Sequence, residues 1–423
     1  MRTRSIASGL AALTLLAAAL SCQNINVDTE KVDPCTFDHA AGKYSAPFDL
    51  EIENDDPAVE IWYTDDGTIP SDGGGTSQLY NDVDKVPIDQ TTTIRAKGYK
   101  AGLRASDERS ATFTFVWTRG ADMAGVSDLL GRYDFACTSI GSRIFIIGGR
   151  ERVSGPVVSQ VSTVLVYDVD ATENAWSTIS PISGTRQGMD AVVYNGMIYI
   201  AGGSSGGVAV GTTEEYNPGT GTWTAKGDLA IPRYGHRLAV IGDYIYAVGG
   251  ENAGGLVTTV EKFSIGTGTW TNLEAAFDSI ERTEFGLGVV GTKVYVFGGR
   301  NSSAKLKSCQ AFDPNIAGDK WQDMEDMPVA TEDLGAAVIG GRVYSLAGEQ
   351  PGGIVNNSYR FDPTAEDGQS DGAGNWESVW AVPSARKNFG TAVVNSLLHC
   401  ISGLIDETNT TNSVYIYDPS ADD

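Results

Sequence analysis

The stretch YIYAVGG, Tyr244 to Gly250, is a short apolar strand stopped by two glycines, and the chain repeats it. RIFIIGG ends at Gly149, MIYIAGG at Gly203 and KVYVFGG at Gly299. RVYSLAG, ending at Gly348, and LLHCISG, ending at Gly403, continue the series with Ala347 and Ser402 in the first glycine's place. Successive copies lie 54, 47, 49, 49 and 55 residues apart, and a period of that size means one structural unit used six times. Three places before each first glycine stand Phe145, Tyr199, Tyr246, Tyr295, Tyr344 and His399, so the register holds in all six.

Working outward, each strand is followed by an aromatic: Tyr167, Tyr216, Phe263, Phe312, Phe361 and Tyr417. After the first five comes a tryptophan: Trp176, Trp223, Trp270, Trp321 and Trp376. The sixth unit has none, whereas Trp117 precedes the first, in a setting W-T-x-x-x-D-M that matches W-T-x-x-x-D-L at Trp223. The last unit's missing outer strand is therefore expected from the start of the domain, closing a ring and removing free sheet edges. The apolar run, double glycine, aromatic and tryptophan resemble kelch repeats. That resemblance implies an all-β, six-bladed propeller of four-stranded blades around a central channel, over residues 116–423.

Composition agrees. Of 423 residues 51 are glycine and 15 proline, a turn-rich usage that suits many short strands. Thirty basic against 54 acidic residues leave a formal charge of −24, which repels phosphate backbones and argues against nucleic-acid binding. Upstream, Phe48-Leu50-Ile52, Val59-Ile61-Tyr63 and the run through Ile94 and Ala96 alternate between the turn clusters DDGTIP and SDGGG, predicting a small β-sandwich over 39–115. Its segments YSAPFDLEI, IWYTDDGTIP and TTTIRAKGYKAGLRAS resemble the immunoglobulin-like domain found at the C-terminus of chitobiase, which implies a spacer or accessory module.

Arg2 and Arg4 precede an apolar run from Ile6 to Leu20 that ends Ala19-Leu20-Ser21-Cys22. This reads as a secretory signal over 1–21. Its end resembles a bacterial lipobox, implying lipidation of Cys22, a polar tether over 22–38 and an exported lipoprotein held at a membrane only by its lipid, in the periplasm or at the cell surface. A plain cleaved signal is the alternative. Cys35, Cys137, Cys309 and Cys400 form no CxxC pair, so a disulfide stays open while a zinc site is not indicated.

Function is expected where the copies differ in exposed loops. Sixteen places before each first glycine stand Arg132, Arg186, Arg233, Arg282, Thr331 and Arg386. Kelch resemblance places this junction on the partner-binding face, making the arginines candidate ligand-binding residues; the competing reading pairs them with inter-blade carboxylates. The next two places vary: Tyr133-Asp134, Gln187-Gly188, Tyr234-Gly235, Thr283-Glu284, Glu332-Asp333 and Lys387-Asn388. Arg150, Glu151, Arg152, Glu251, Asn252, Arg300, Asn301, Glu349 and Gln350 follow the glycines and are expected on the same face. Twelve places before the first glycine, Asp190 and Arg237 interrupt a series of small residues and are expected to line the channel.

From these we select Arg132, Tyr133, Arg186, Arg233, Tyr234, Arg237, Arg282, Glu284, Arg386 and Asn388 as candidate binding residues for a protein segment or a glycan. A resemblance of exported six-bladed kelch proteins to sialic-acid mutarotases of the N-acetylneuraminate epimerase type implies the alternative, such an enzyme or another carbohydrate-active protein. There, Glu284, Glu332 and Asp190 are the acid–base candidates, while Arg186, Arg233 and Arg237 hold a substrate carboxylate. With only His39, His236 and His399, no metal or other cofactor is expected; the acidic turns Asp168-Val-Asp170 with Glu173 and Asp362–Asn375 read as solvated turns before calcium loops. A monomer is expected. If Cys22 carries lipid, palmitate labels the wild type, and Cys22→Ala moves the protein to the soluble fraction; an unlabelled wild type leaves a plain secreted protein.

Overall fold

The computed structural model describes residues 30–45, 47–123, 131–152, 158–172, 175–276, 281–316, 321–365 and 373–422. The signal, Cys22 and Glu173 lie outside them. No described helix is long and apolar enough to cross a membrane. Packing separates two units, one of residues up to Ala40 with Leu50–Val86 and Thr93–Ala111, the other of Ala41–Asp49, Pro87–Thr92 and Thr112 onward.

In the first unit Glu60–Thr64 pairs antiparallel with Thr92–Tyr99. Alternation sends Ile61, Ile94 and Ala96 inward with Leu50 and Ile52. In the DDGTIP turn Asp66 accepts the Thr68 backbone N–H at 2.9 Å and its hydroxyl at 2.6 Å, and these bonds hold its carboxyl down at about 2. The side chain is thus spent on the turn itself.

The second unit contains six four-stranded antiparallel sheets. Their innermost strands, Ala136–Ile140, Asp190–Tyr194, Arg237–Ile241, Gly286–Val290, Gly335–Ile339 and Gly390–Val394, neighbour one another in a closed cycle. The second strand of each blade is the glycine-terminated run, buried throughout its last four residues because it is covered on both faces by adjacent blades. Outer strands carry the tryptophans, each packed on its blade's aromatic with ring centroids 4.9–5.2 Å apart in the first five blades. In the sixth, Trp117–Arg119 pairs with Val414–Tyr417, and Trp117 lies 4.7 Å from Tyr417. Chain closure therefore reproduces the geometry of every other blade.

The junction arginines are the main correction to the sequence reading. Arg132, Arg186, Arg233, Arg282 and Arg386 are almost wholly buried. The Nη1 of each donates to the carbonyl sixteen residues on, that of Gly148, Gly202, Gly249, Gly298 or Ser402, at 3.0–3.2 Å. In the first four, Nη1 also reaches a carbonyl at the start of the third strand, Thr163, Thr212, Thr259 or Ser308. Arg233 pairs with the fully buried Glu261 at 2.8 Å, and Arg186 with Glu214. Arg132 bonds the partly buried Glu151, while Arg282 and Arg386 find the hydroxyls of Ser308 and Ser413. Burial pulls Arg282 down to about 10, so it remains charged at neutral pH. These five side chains brace blades from the interior rather than standing on the rim: the Nη groups of each are bonded, although the Nε of Arg132, Arg186 and Arg282 has no partner.

Glycine is favoured beside them. A Cβ on Gly202 or Gly249 falls 2.7 Å from the next blade's junction carbonyl, and one on Gly250 falls 2.7 Å from the Tyr234 carbonyl. Ala347 and Ser402 nevertheless hold the same left-handed conformation at φ 49° and 59°, so the first place accepts a Cβ at a cost of about 1–2 kcal/mol. Ser402 offsets this by accepting the Arg132 N–H at 2.8 Å. Removing the Arg233 guanidinium strands Glu261, so Arg233→Met is expected to cost about 3–5 kcal/mol, read as a large fall in Tm, whereas a rim arginine would leave Tm unmoved.

Candidate functional site

The second of the two variable junction residues forms the mouth of the channel. Asp134, Gly188, Gly235, Glu284, Asp333 and Asn388 all take φ between 53° and 66°. Each donates its backbone N–H to the carbonyl of its counterpart in the preceding blade at 2.8–3.2 Å, and Asp134 completes the cycle by donating to Asn388. Six peptide groups thus form a closed head-to-tail ring.

Side chains of Asp134, Glu284, Asp333 and Asn388 line a cavity of about 100 Å³ at this mouth, with Tyr234 and Arg237. Arg237, Phe135 and Phe389 also line the adjoining channel cavity of about 190 Å³, where Asp190 lies. Asp190 accepts the Leu238 N–H of the next blade at 2.7 Å, and burial raises its pKa against the pull of Arg237. Burial, with help from Glu284, raises Asp134 to about 7, opposed by Arg150, Lys387 and Arg237. Asp333 is pushed well above the carboxylate range by burial and by Glu284, with which it shares a hydrogen bond. The nitrogens of His236 are buried without partners, and desolvation beside Arg233 and Arg237 keeps the ring neutral.

Around the mouth, the first variable residue bridges to the residue after the glycines, as in Tyr234 with Glu251 and Thr283 with Arg300. Ion pairs connect this rim across four blades. Arg300 meets Glu251 at 2.5 Å, Glu332 at 3.3 Å and Glu284 at 3.5 Å. Lys305 joins Glu332 to Glu349, and Lys387 joins Glu349 at 2.5 Å to Glu407 at 2.8 Å.

A family model described as the Kelch motif matches residues 131–183 and 185–229, and one described as the KLHDC2/KLHL20/DRC7 Kelch-repeats domain matches 235–423. The chain is a kelch-repeat protein. Residues 39–112 match the chitobiase/beta-hexosaminidase C-terminal domain. An F-box/kelch-repeat protein of Arabidopsis thaliana is 30% identical over 110 residues, 25% of this chain and 26% of its own. Kelch-like protein 23 of Homo sapiens is 24% identical over 200 residues, 46% of this chain and 31% of its own. The chain thus spans under a third of these curated relatives. A solved structure titled "Structure of YjhT" matches with TM-score 0.55 at 14% identity, covering 67% of this chain and 94% of that one, a likeness of fold.

Of the predicted site residues, the kelch propeller brings Tyr234, Arg237, Glu284 and Asn388 together at the mouth and places Asp190 in the channel behind. Tyr133 is buried at its junction, with Arg150 over its ring, and Glu332 is engaged by Arg300 and Lys305. Arg186 and Arg233 are inside blades, leaving Arg237 as the guanidinium lining the channel. Asp134 and Asp333 were not selected from sequence. Their signal was present, because Asp, Gly, Gly, Glu, Asp and Asn occupy that place in turn, mostly residues that tolerate a left-handed backbone. Among the described residues no group of three His, Cys, Asp or Glu has metal-holding geometry, and the four described cysteines are free thiols.

Asp134 sets a pH signature. Its folded pKa lies above the unfolded value of 3.8, so its stabilising effect is complete below about pH 4 and is lost as pH rises through about 7. Asp134→Asn lacks that loss. The Tm of the variant minus that of the wild type is expected to grow between pH 5 and 8, and a pH-independent difference would show that the Asp134 carboxyl is not desolvated.

Proposed function

We propose that this is an exported, lipid-anchored, non-catalytic binding protein whose junction face recognises a protein segment. Kelch propellers are generally protein-binding scaffolds. The observation that carries the reading here is convergence: variable side chains from six blades, far apart in sequence, meet at one rim and mouth, already ordered by ion pairs. Preorganised groups lose little freedom on binding. Export and anchoring rest on the signal-like N-terminus and Cys22. A glycan is the second ligand class, favoured by the chitobiase-type module.

An enzymatic reading, interconversion of sialic-acid anomers, draws support from the hydrogen-bonded pair Asp333 and Glu284 in the mouth cavity, with Arg237 to hold a carboxylate. Proton NMR exchange between the anomers separates the two: acceleration that Glu284→Gln abolishes establishes catalysis. For the binding reading, segments selected from a random peptide library are measured against Tyr234→Ala combined with Gln187→Ala. Affinity is expected to fall by at least about tenfold with Tm unchanged. Loss of binding in Trp62→Ala alone, with folding intact, would instead make the sandwich the recognition module.

A further inference from the structure

We propose that the channel mouth receives the ammonium group of a lysine side chain carried by the bound protein segment. This rests on the protein-segment reading and names the chemistry of its anchor. The backbone ring is the first reason. All six mouth N–H groups are consumed by the ring, while the ring carbonyls other than that of Gly235, which also accepts the Thr283 hydroxyl at 3.3 Å, retain a second lone pair, so the main chain there offers acceptors and no donors. The main chain offers an anion no cradle there.

The side chains point the same way. Asp333 is 8% exposed, lines the cavity, and its Oδ1 has no partner. A buried acceptor without a donor is costly to leave unmade. Asp134, also lining the cavity, has Arg150 as its salt-bridge partner only at 4.0 Å. The rim cations Arg300, Lys305 and Lys387 are held by rim carboxylates. Arg237 lines both this cavity and the channel cavity behind it, and its guanidinium donates to the His236 carbonyl at 3.3 Å, so it partly balances the mouth carboxylates without pairing with one.

Shape selects the carrier. At about 100 Å³ the mouth is smaller than the roughly 300–1,000 Å³ of pockets that enclose whole small molecules, and Phe135, Met189 and Phe389 supply apolar walls. A lysine fits this, its aliphatic stem against the aromatic walls and its three ammonium donors among Asp134, Asp333 and Glu284. The chain's charge of −24 draws basic partners towards it. An arriving ammonium also favours ionised Asp134, whose pKa burial and then Glu284 raise against the pull of Arg150, Lys387 and Arg237.

The test uses the full chain and random pentapeptides with a fixed central lysine, N-acetyl-lysine, norleucine or arginine, followed by fluorescence anisotropy of the selected sequences. Lysine is expected to bind at least about tenfold more tightly than N-acetyl-lysine or norleucine. With Asp134 titrating near 7, lysine binding should tighten up to about 30-fold from pH 5.5 to 8.0, and Asp134→Asn should remove that dependence. Asp333→Asn should weaken lysine and spare norleucine. Because Asn388 already occupies an equivalent ring position, both variants keep the backbone geometry. Equal binding of lysine and N-acetyl-lysine, a preference for arginine, or wild-type affinity in both variants overturns the lysine receptor while the protein-segment reading stands. Failure of every pentapeptide to bind overturns both.

Discussion

Everything in the propeller hangs on what happens at one carbonyl per blade junction. The N–H of each blade's second glycine, Gly149, Gly203, Gly250, Gly299, Gly348 or Gly403, donates to the junction carbonyl of the next blade, that of Arg186, Arg233, Arg282, Thr331, Arg386 or Arg132, at 2.7–3.0 Å. In five blades the same junction residue turns its guanidinium back onto its own blade's first glycine position. Main chain thus ties blade to blade, and side chain ties junction to strand. Glycine is favoured for the same reason, because a Cβ at these places meets a carbonyl oxygen at 2.5–2.9 Å, and only the first place tolerates one, at Ala347 and Ser402.

With its junctions fixed in this way, the chain can vary only what stands between them. The residue that turns the corner must adopt a left-handed backbone, and its N–H must enter the mouth ring. Where glycine turns the corner the mouth is bare; where Asp134, Glu284, Asp333 or Asn388 does, a polar group is delivered to the channel at fixed depth. The scaffold therefore converts a backbone constraint into a site, and the strain of four non-glycine residues at positive φ is concentrated there.

The fold was legible because its signals are periodic: Trp117 could be assigned to the sixth blade from spacing alone, and it pairs with Tyr417 as the outer-strand tryptophans of the other five blades pair with their aromatics. The arginines were misread for an instructive reason. Charge suggests surface, yet recurrence at a fixed sixteen-residue spacing is the mark of scaffold, and those residues recur in the same register as the buried aromatics. Asp134 and Asp333 were overlooked for the converse reason. They are irregular across copies, and what makes them chemically unusual is desolvation by neighbouring blades, which no local sequence window contains. Asp190 and Arg237 stood out against the small residues at their place, and both do face the channel.

The ring's closure is the claim on which scaffold and site both depend, and native-state hydrogen exchange measured by NMR tests it most directly. The twelve N–H groups of the two rings, from the second glycines and from the mouth residues, are predicted to exchange only through global unfolding, with Gly403 and Asp134 at the seam as protected as Gly250 and Glu284. Fast exchange confined to Gly403 and Asp134 would contradict the account, since it would mean that the sixth blade opens from the first and that the mouth is not a continuous ring.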